Sequence, residues 1–168
     1  MRGWQAAYSD ILPHDFLAGL SIDAREVAWR TMLDSDEDGA TPSWLAERDG
    51  RPIGFLAAGP PRDADVEGPA AELYALYVLP EAWRGGAGSA LLAVAVDHWR
   101  ALGVSRLVLW VLEMNERARA FYEAQAWLPD GAGQPLDLGG FVTTEVRYRL
   151  ELGSRAGTPN RARSSATP

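Results

Sequence analysis

The segment LPEAWRGGAGSALL, residues 79–92, decides how the rest of the chain is read. A proline opens a turn, Gly85, Gly86 and Gly88 follow in close succession, and a run of good helix formers begins at Ser89. Upstream, AELYALYV (71–78) alternates incompletely, as expected of a strand covered on both faces. Downstream, Leu91, Leu92, Ala95, Val96, Trp99 and Leu102 recur at helical spacing, and Gly103 supplies a stop. A strand, a glycine-rich turn and a helix N-terminus make an anion site. The first N–H groups of the helix lack internal acceptors, and the helix dipole favours negative charge there. Glycine lets the backbone approach a ligand closely, and Arg84 could add a charged contact. A phosphate is the natural occupant; the alternative is a plain strand-to-helix turn.

Two well-known phosphate loops do not fit. A Walker loop ends in Gly-Lys-Ser/Thr, and this chain has no lysine. A dinucleotide fingerprint needs a third glycine three residues after Gly88, where Leu91 stands.

Outward from the loop, helical and strand patterns alternate. Residues 2–9 and 23–33 read as helices, with Asp23 and Glu26 spaced as a capping box. SWLAER (43–48) and PIGFLAAG (52–59), joined by DGR, read as a hairpin. PPRDADVEG (60–68) reads as a loop and RLVLWVL (106–112) as a buried strand. Asn115 caps a helix through Gln125, WLPD (127–130) is a short strand, GAGQPLDLGG (131–140) a loop and FVTTEVRYRL (141–150) the final strand. The fold class is α/β, a mixed sheet flanked by helices.

Composition narrows the function. The chain has 168 residues, about one domain, with 47% hydrophobic residues and seven tryptophans, enough for a core. There is no cysteine, and His14 and His98 lie far apart, so no metal site is expected. All 16 basic residues are arginine, and the net charge is −7. That argues against a nucleic-acid surface and is compatible with a cationic amine substrate. No apolar run is long enough to span a bilayer, and the N-terminus lacks a signal-peptide layout. A cytoplasmic location and no membrane partner are expected. The tail from Leu152, residues 152–168, has little apolar content and is expected to be disordered, leaving one domain over 1–151.

The stretch LYVLPEAWRGGAGSALL resembles the acetyl-CoA loop of the GNAT N-acetyltransferase superfamily, whose pattern is Q/R-x-x-G-x-G/A after V-x-P. Val78 and Pro80 match V-x-P, and Gly86 and Gly88 match the two glycines. Trp83 departs from the pattern in the Q/R slot. A second block, LWVLEMNERARAFYEAQAW, resembles the family segment in which an asparagine opens a helix and a tyrosine lies seven residues on. Asn115 and Tyr122 fit those positions. The family usually begins with a strand that has no counterpart here, so either the start lies upstream or the strand is lost. Its loss would expose a sheet edge open to pairing, including as a homodimer.

The resemblance implies direct transfer of acetyl from acetyl-CoA to a primary amine, without metal. It implies that the pantetheine arm pairs with backbone at Leu76, Tyr77 and Val78. The diphosphate then lies on N–H groups from Arg84, Gly85, Gly86, Ala87, Gly88 and Ser89, and Asn115 is a further cofactor contact. Tyr122 is the expected general acid, since a tyrosine with pKa of about 10 keeps its proton at neutral pH; packing beside Phe121 is its other reading. Asn115 serves equally as a helix cap. Glu72 is the expected general base, eight residues before Pro80, with Glu113 as the second choice; a solvent-facing glutamate is the alternative for Glu72. The acceptor side is expected from the first helices, the 131–140 segment and Phe141. Two other functions stay open: a non-catalytic acyl-CoA-binding sensor and an interaction module in which the glycine loop is only a turn.

Overall fold

Asp49 and Gly50 both have positive φ, 52° and 71°, the combination that a two-residue type I′ hairpin requires. They join strand β1 (Ser43–Arg48) to β2 (Arg51–Gly59), as the Asp-Gly pair in the sequence predicts. The structure is a computed structural model. It describes residues 41–153 except Gly139, together with Tyr8, Ile11, Leu12, Gly19, Ser21, Asp23, Ala24, Glu26, Val27, Arg30 and Thr31. The other residues of 1–40, on which the two expected N-terminal helices fall, and the tail from residue 154 lie outside the described residues. Asp23 already lies inside a helix, and Ser21 Oγ accepts from Ala24 N–H at 3.1 Å. Ser21 therefore supplies the cap expected of Asp23.

The remaining elements are β3 (Ala70–Val78), a 3-10 turn (Pro80–Ala82), helix α1 (Ala87–Ala101), β4 (Arg106–Leu112), helix α2 (Glu116–Glu123), β5 (Leu128–Asp137) and β6 (Val142–Glu151). Among the described residues they form one mixed sheet in the order β1-β2-β3-β4-β6-β5. Only β3 and β4 run parallel, because α1 carries the chain back across the sheet between them. On that face Leu91, Leu92, Ala95 and Trp99 of α1 pack against Leu56, Leu73, Leu107 and Leu109. On the other face Leu12 meets Leu112, flanked by Tyr8, Tyr77, Leu136, Leu138 and Phe141. β4 is thus covered on both sides, which is why its sequence is a continuous apolar run.

The segment expected to be a loop, 131–140, is mostly strand. β5 takes in the LPD of the expected WLPD strand, without Trp127, and continues to Asp137, paired with β6 from Gly133↔Val146 to Asp137↔Val142. Its prolines are tolerated because β5 is the sheet edge. Its glycines are used in a register break between Pro129 and Gly133, where Gly131 has φ 90° and Asp130 Oδ1 accepts from Ala132 N–H. The real turn is short: Leu138 N–H donates to Phe141 O, and Gly140 N–H to Asp137 Oδ1. α2 ends before Gln125, where the chain passes through Ala126 at φ 64°. Leu152, placed in the tail by composition, is buried in the main core and its N–H donates to Ser105 O.

Candidate active site

The parallel ladder between β3 and β4 runs from Ala70↔Arg106 to Leu73↔Leu109 and stops there. At the same level Ala57 pairs with Ala75 and Ala58 with Leu73, so Tyr74 is the extra residue of a bulge in β3. Beyond it β3 and β4 diverge, and a cleft of about 790 Å³ opens between them. One wall is β3 from Leu73 to Val78 and the glycine turn; the other is Leu109, Trp110 and Val111 of β4 with Asn115, Phe121 and Tyr122 of α2.

The cofactor residues expected on β3 divide by parity. Leu79 N–H donates to Ile53 O at 2.8 Å, so odd positions there turn their peptide groups to β2. Leu76 and Val78 therefore turn theirs to the cleft. Tyr77 differs from expectation: its peptide group faces β2, and it lines the cleft while its ring lies 5.6 Å from that of Phe55.

The turn follows directly. Arg84 sits at φ 58° and Gly86, the N-cap of α1, at φ 84° with no side-chain cap bond. Nothing lies within 4 Å of a Cβ built on Gly86, so that glycine is demanded by its left-handed backbone. Gly88 is favoured by sterics instead, since a Cβ there would come 3.2 Å from Phe121 Cζ and the ring would have to give way by a few tenths of an ångström. A Cβ on Gly85 would meet Arg48 Nη2 at 3.0 Å and Ala82 O at 3.1 Å. Arg84, Gly86, Ala87, Gly88 and Ser89 line the cleft, so the first peptide groups of α1 open onto it.

Asn115 is buried, caps α2 through Oδ1 to Ala118 N–H at 3.1 Å, and also lines the cleft. Both of its expected roles are compatible. Tyr122 stands two helical turns further along α2, half-buried, its ring edge-on to Phe121 and 6.0 Å from Trp127. Burial raises its pKa well above the ordinary tyrosine value, with a smaller contribution from Tyr8. Arg119 Nε donates to Tyr148 Oη, which donates to Glu123 Oε1 at 2.6 Å, locking α2 onto β6.

Glu72 is not in this cleft. It is fully buried below the bulge, where Arg62 donates to it from its guanidinium and, at 2.9 Å, from its backbone N–H. The Arg62 guanidinium is held above its usual value, foremost by that bond. The sequence reading took Glu72 for an accessible base because position on the strand does not reveal the arginine ten residues upstream. Glu113 is exposed, and its backbone carbonyl accepts from Arg119 Nη1. The side chains that the sequence reading missed are Tyr8, Tyr74, Trp110 and Arg117, all lining the cleft. Their only signal was a large polar-tipped residue in an apolar stretch, as at Trp110.

Among the described residues no helix is long and apolar enough to cross a membrane, and no group of three or more His, Asp and Glu could hold a metal ion. Residues 4–127 match the Acetyltransferase (GNAT) family. The chain is 34% identical to "Uncharacterized N-acetyltransferase YuaI" of Bacillus subtilis over 72% of its own length and 66% of that protein. It is 34% identical to "Probable N-acetyltransferase Rv2775" of Mycobacterium tuberculosis over 67% of its length and 62% of that protein. It thus spans just under two thirds of both relatives. In fold it is similar to the PaiA N-acetyltransferase of Thermoplasma acidophilum, solved in complex with coenzyme A. The TM-score is 0.67 at 19% identity, covering 89% of this chain and 86% of that one. The diverging strands, the glycine turn at the head of α1 and this family match converge on one conclusion: the chain belongs to the GNAT acetyltransferase family.

Proposed function

We propose that this protein is an acetyl-CoA-dependent N-acetyltransferase that acts by direct attack of a primary amine. The observation that carries the reading is the wedge between β3 and β4, which leads onto the peptide groups at the head of α1 with Tyr122 on the opposite wall. The donors present fit the cofactor. Leu76 offers a strand-like peptide group, and Val78 its N–H, for an amide-bearing arm, the Val78 carbonyl being held by Trp83. The turn offers N–H groups, a left-handed glycine and Arg84 for a diphosphate. Acetyl-CoA, when bound, supplies an activated acyl carbon and a thiolate leaving group.

The chain's own residues do the rest. A peptide N–H of β3 at the cleft stabilises developing negative charge on oxygen. Tyr122 keeps its proton through the neutral range and delivers it to the departing sulfur. Glu72 holds Arg62 rather than the acceptor, so proton removal from the amine passes to Glu113 or to a water in the cleft. The acceptor enters from the face covered by Tyr8, Leu12 and Phe141. The net charge of −7 supports a cationic amine, small-molecule or peptide-borne, over nucleic acid. The reading includes a cytoplasmic protein whose catalytic domain extends through Leu152, with β1, the outer strand of the sheet among the described residues, as the side offered to a homodimer partner.

The test is thiol release from acetyl-CoA with a panel of amines, alongside calorimetric affinity for acetyl-CoA in Gly86→Glu. The glutamate adds bulk and negative charge beside the expected diphosphate. Acetyl transfer by the parent and lost affinity in the folded variant support the reading; unchanged affinity overturns the site.

A further inference from the structure

Trp83 stands where the family pattern carries Gln or Arg, so the turn lacks the polar side chain expected there. The structure gives the indole two contacts instead. Its Nε1–H donates to Val78 O at 2.8 Å, which ties it to the end of β3. The guanidinium of Arg117 lies over its ring, Cζ 3.7 Å from the centroid. That is well within the range of a cation–π contact. Arg117 comes from the first turn of α2, on the opposite wall, and both residues line the cleft beside Arg84.

An arginine on an aromatic shelf is held in place before any ligand arrives, so less side-chain entropy is lost on binding. In a chain of net charge −7, this stack sets a fixed positive charge against the turn whose peptide groups face the cleft. We infer that Arg117, carried on Trp83, contacts the phosphate-bearing end of the cofactor and supplies from α2 the charge that position 83 itself lacks. The inference rests on the acetyl-CoA reading above. Its competitor is a staple that merely fastens α2 to the turn.

The two differ in which ligands feel the arginine. Arg117→Met keeps an aliphatic stem on the indole and removes the charge. Affinity for CoA should fall about tenfold, the lower end for a charge-assisted hydrogen bond. kcat/KM with acetyl-CoA should fall with it, whereas kcat/KM with S-acetylpantetheine, which has no phosphate, should not. Arg117→Lys keeps the charge without the planar stack and should recover part of the loss. Affinity for 3′-dephospho-CoA tells which phosphate is held: an equal loss assigns the diphosphate, a retained affinity the 3′-phosphate. Equal losses with both donors, or an unchanged CoA affinity in Arg117→Met, overturn the inference. If Gly86→Glu still abolishes CoA binding in that case, the acetyl-CoA reading stands without it. If the parent protein binds no CoA, both fall.

Discussion

Replacing Tyr122 by phenylalanine isolates one hydroxyl. The ring contacts with Phe121 and Trp127 are kept. Among the described residues no hydrogen bond to that hydroxyl is found, so its removal leaves no buried partner unsatisfied. Thermal stability should change by no more than about 0.5 kcal/mol. Catalysis should change much more. General acid catalysis is worth roughly 10²–10⁴-fold. Burial raises the pKa of Tyr122, however, and a thiol of pKa about 8.5 is the stronger acid, so delivery of the proton runs uphill. The effect should therefore lie at the lower end, about a hundredfold in both kcat and kcat/KM, or ~2.7 kcal/mol.

The raised pKa also fixes the pH dependence. The hydroxyl stays protonated below pH 10 and begins to ionise only above it. Between pH 6 and 9 the phenylalanine variant should give a rate profile parallel to that of the parent and lower throughout. The folded pKa exceeds the unfolded one, so the stability this group contributes is complete below about pH 10 and is lost as pH rises beyond it. Steady-state kinetics with one good amine, together with thermal unfolding, measures both quantities. Parent-like turnover in a folded Tyr122→Phe would refute the acid role. So would selective loss of one limb of the profile below pH 9, because a group titrating there is not the one described.

Two more substitutions separate packing from chemistry. Glu72→Gln places an amide against a guanidinium that now lacks its counter-charge. It should cost about 2–3 kcal/mol in chemical denaturation, below the range for a fully buried pair because Arg62 is mostly exposed. Its pH–rate profile should superimpose on the parent's; recovery of activity as pH rises would restore Glu72 as the base. Gly88→Ala puts a methyl 3.2 Å from Phe121 Cζ. Turnover should drop as the neighbouring Tyr122 shifts, and adding Phe121→Leu should restore it. A double-mutant cycle with no coupling would show that the contact is not what favours glycine.

Much of the fold was legible in the sequence because single residues fixed it. Asp49–Gly50 could hardly be anything but a primed turn, and the apolar run of β4 required cover on both faces. Asn115 marked the start of α2 correctly, whereas α1 begins at Ala87, two residues before the expected Ser89, with Gly86 as its N-cap. The 131–140 segment misled because glycine and proline signal turns in isolation, whereas on an edge strand with a bulge they are compatible with pairing. The site was legible where its chemistry is borne by the backbone of one contiguous stretch. It was illegible where side chains distant in sequence meet. Nothing in the spacing of Arg62 and Glu72 shows that they bond, and nothing joins Trp83 to Arg117 across a helix and a strand.

The cleft itself depends on such distant contacts. Two parallel strands with apolar faces would ordinarily pair along their whole length, and here they are prevented from doing so. The bulge at Tyr74 turns the upper half of β3 away from β4. Gly59 makes room for it, since a Cβ there would collide with the Tyr74 hydroxyl at 2.6 Å. The lower half is held by charge. Glu72 binds Arg62 at one end of the 60–68 loop. Asp63 takes Trp110 Nε1–H of β4 at 2.8 Å and Arg147 of β6 at 3.0 Å, while Asp65 and Asp130 complete the shell around that buried arginine. A loop tied at once to β3, β4 and β6, and through Arg147 to β5, joins the strands at the base of the wedge. Ion pairs are directional in a way that apolar burial is not. Exchanging them for hydrophobic residues could preserve stability while removing what holds the base of the wedge in register. No residue of the 60–68 loop lines the cleft, but Asp63 holds Trp110, which does, so the acidic loop meets the site from behind its β4 wall.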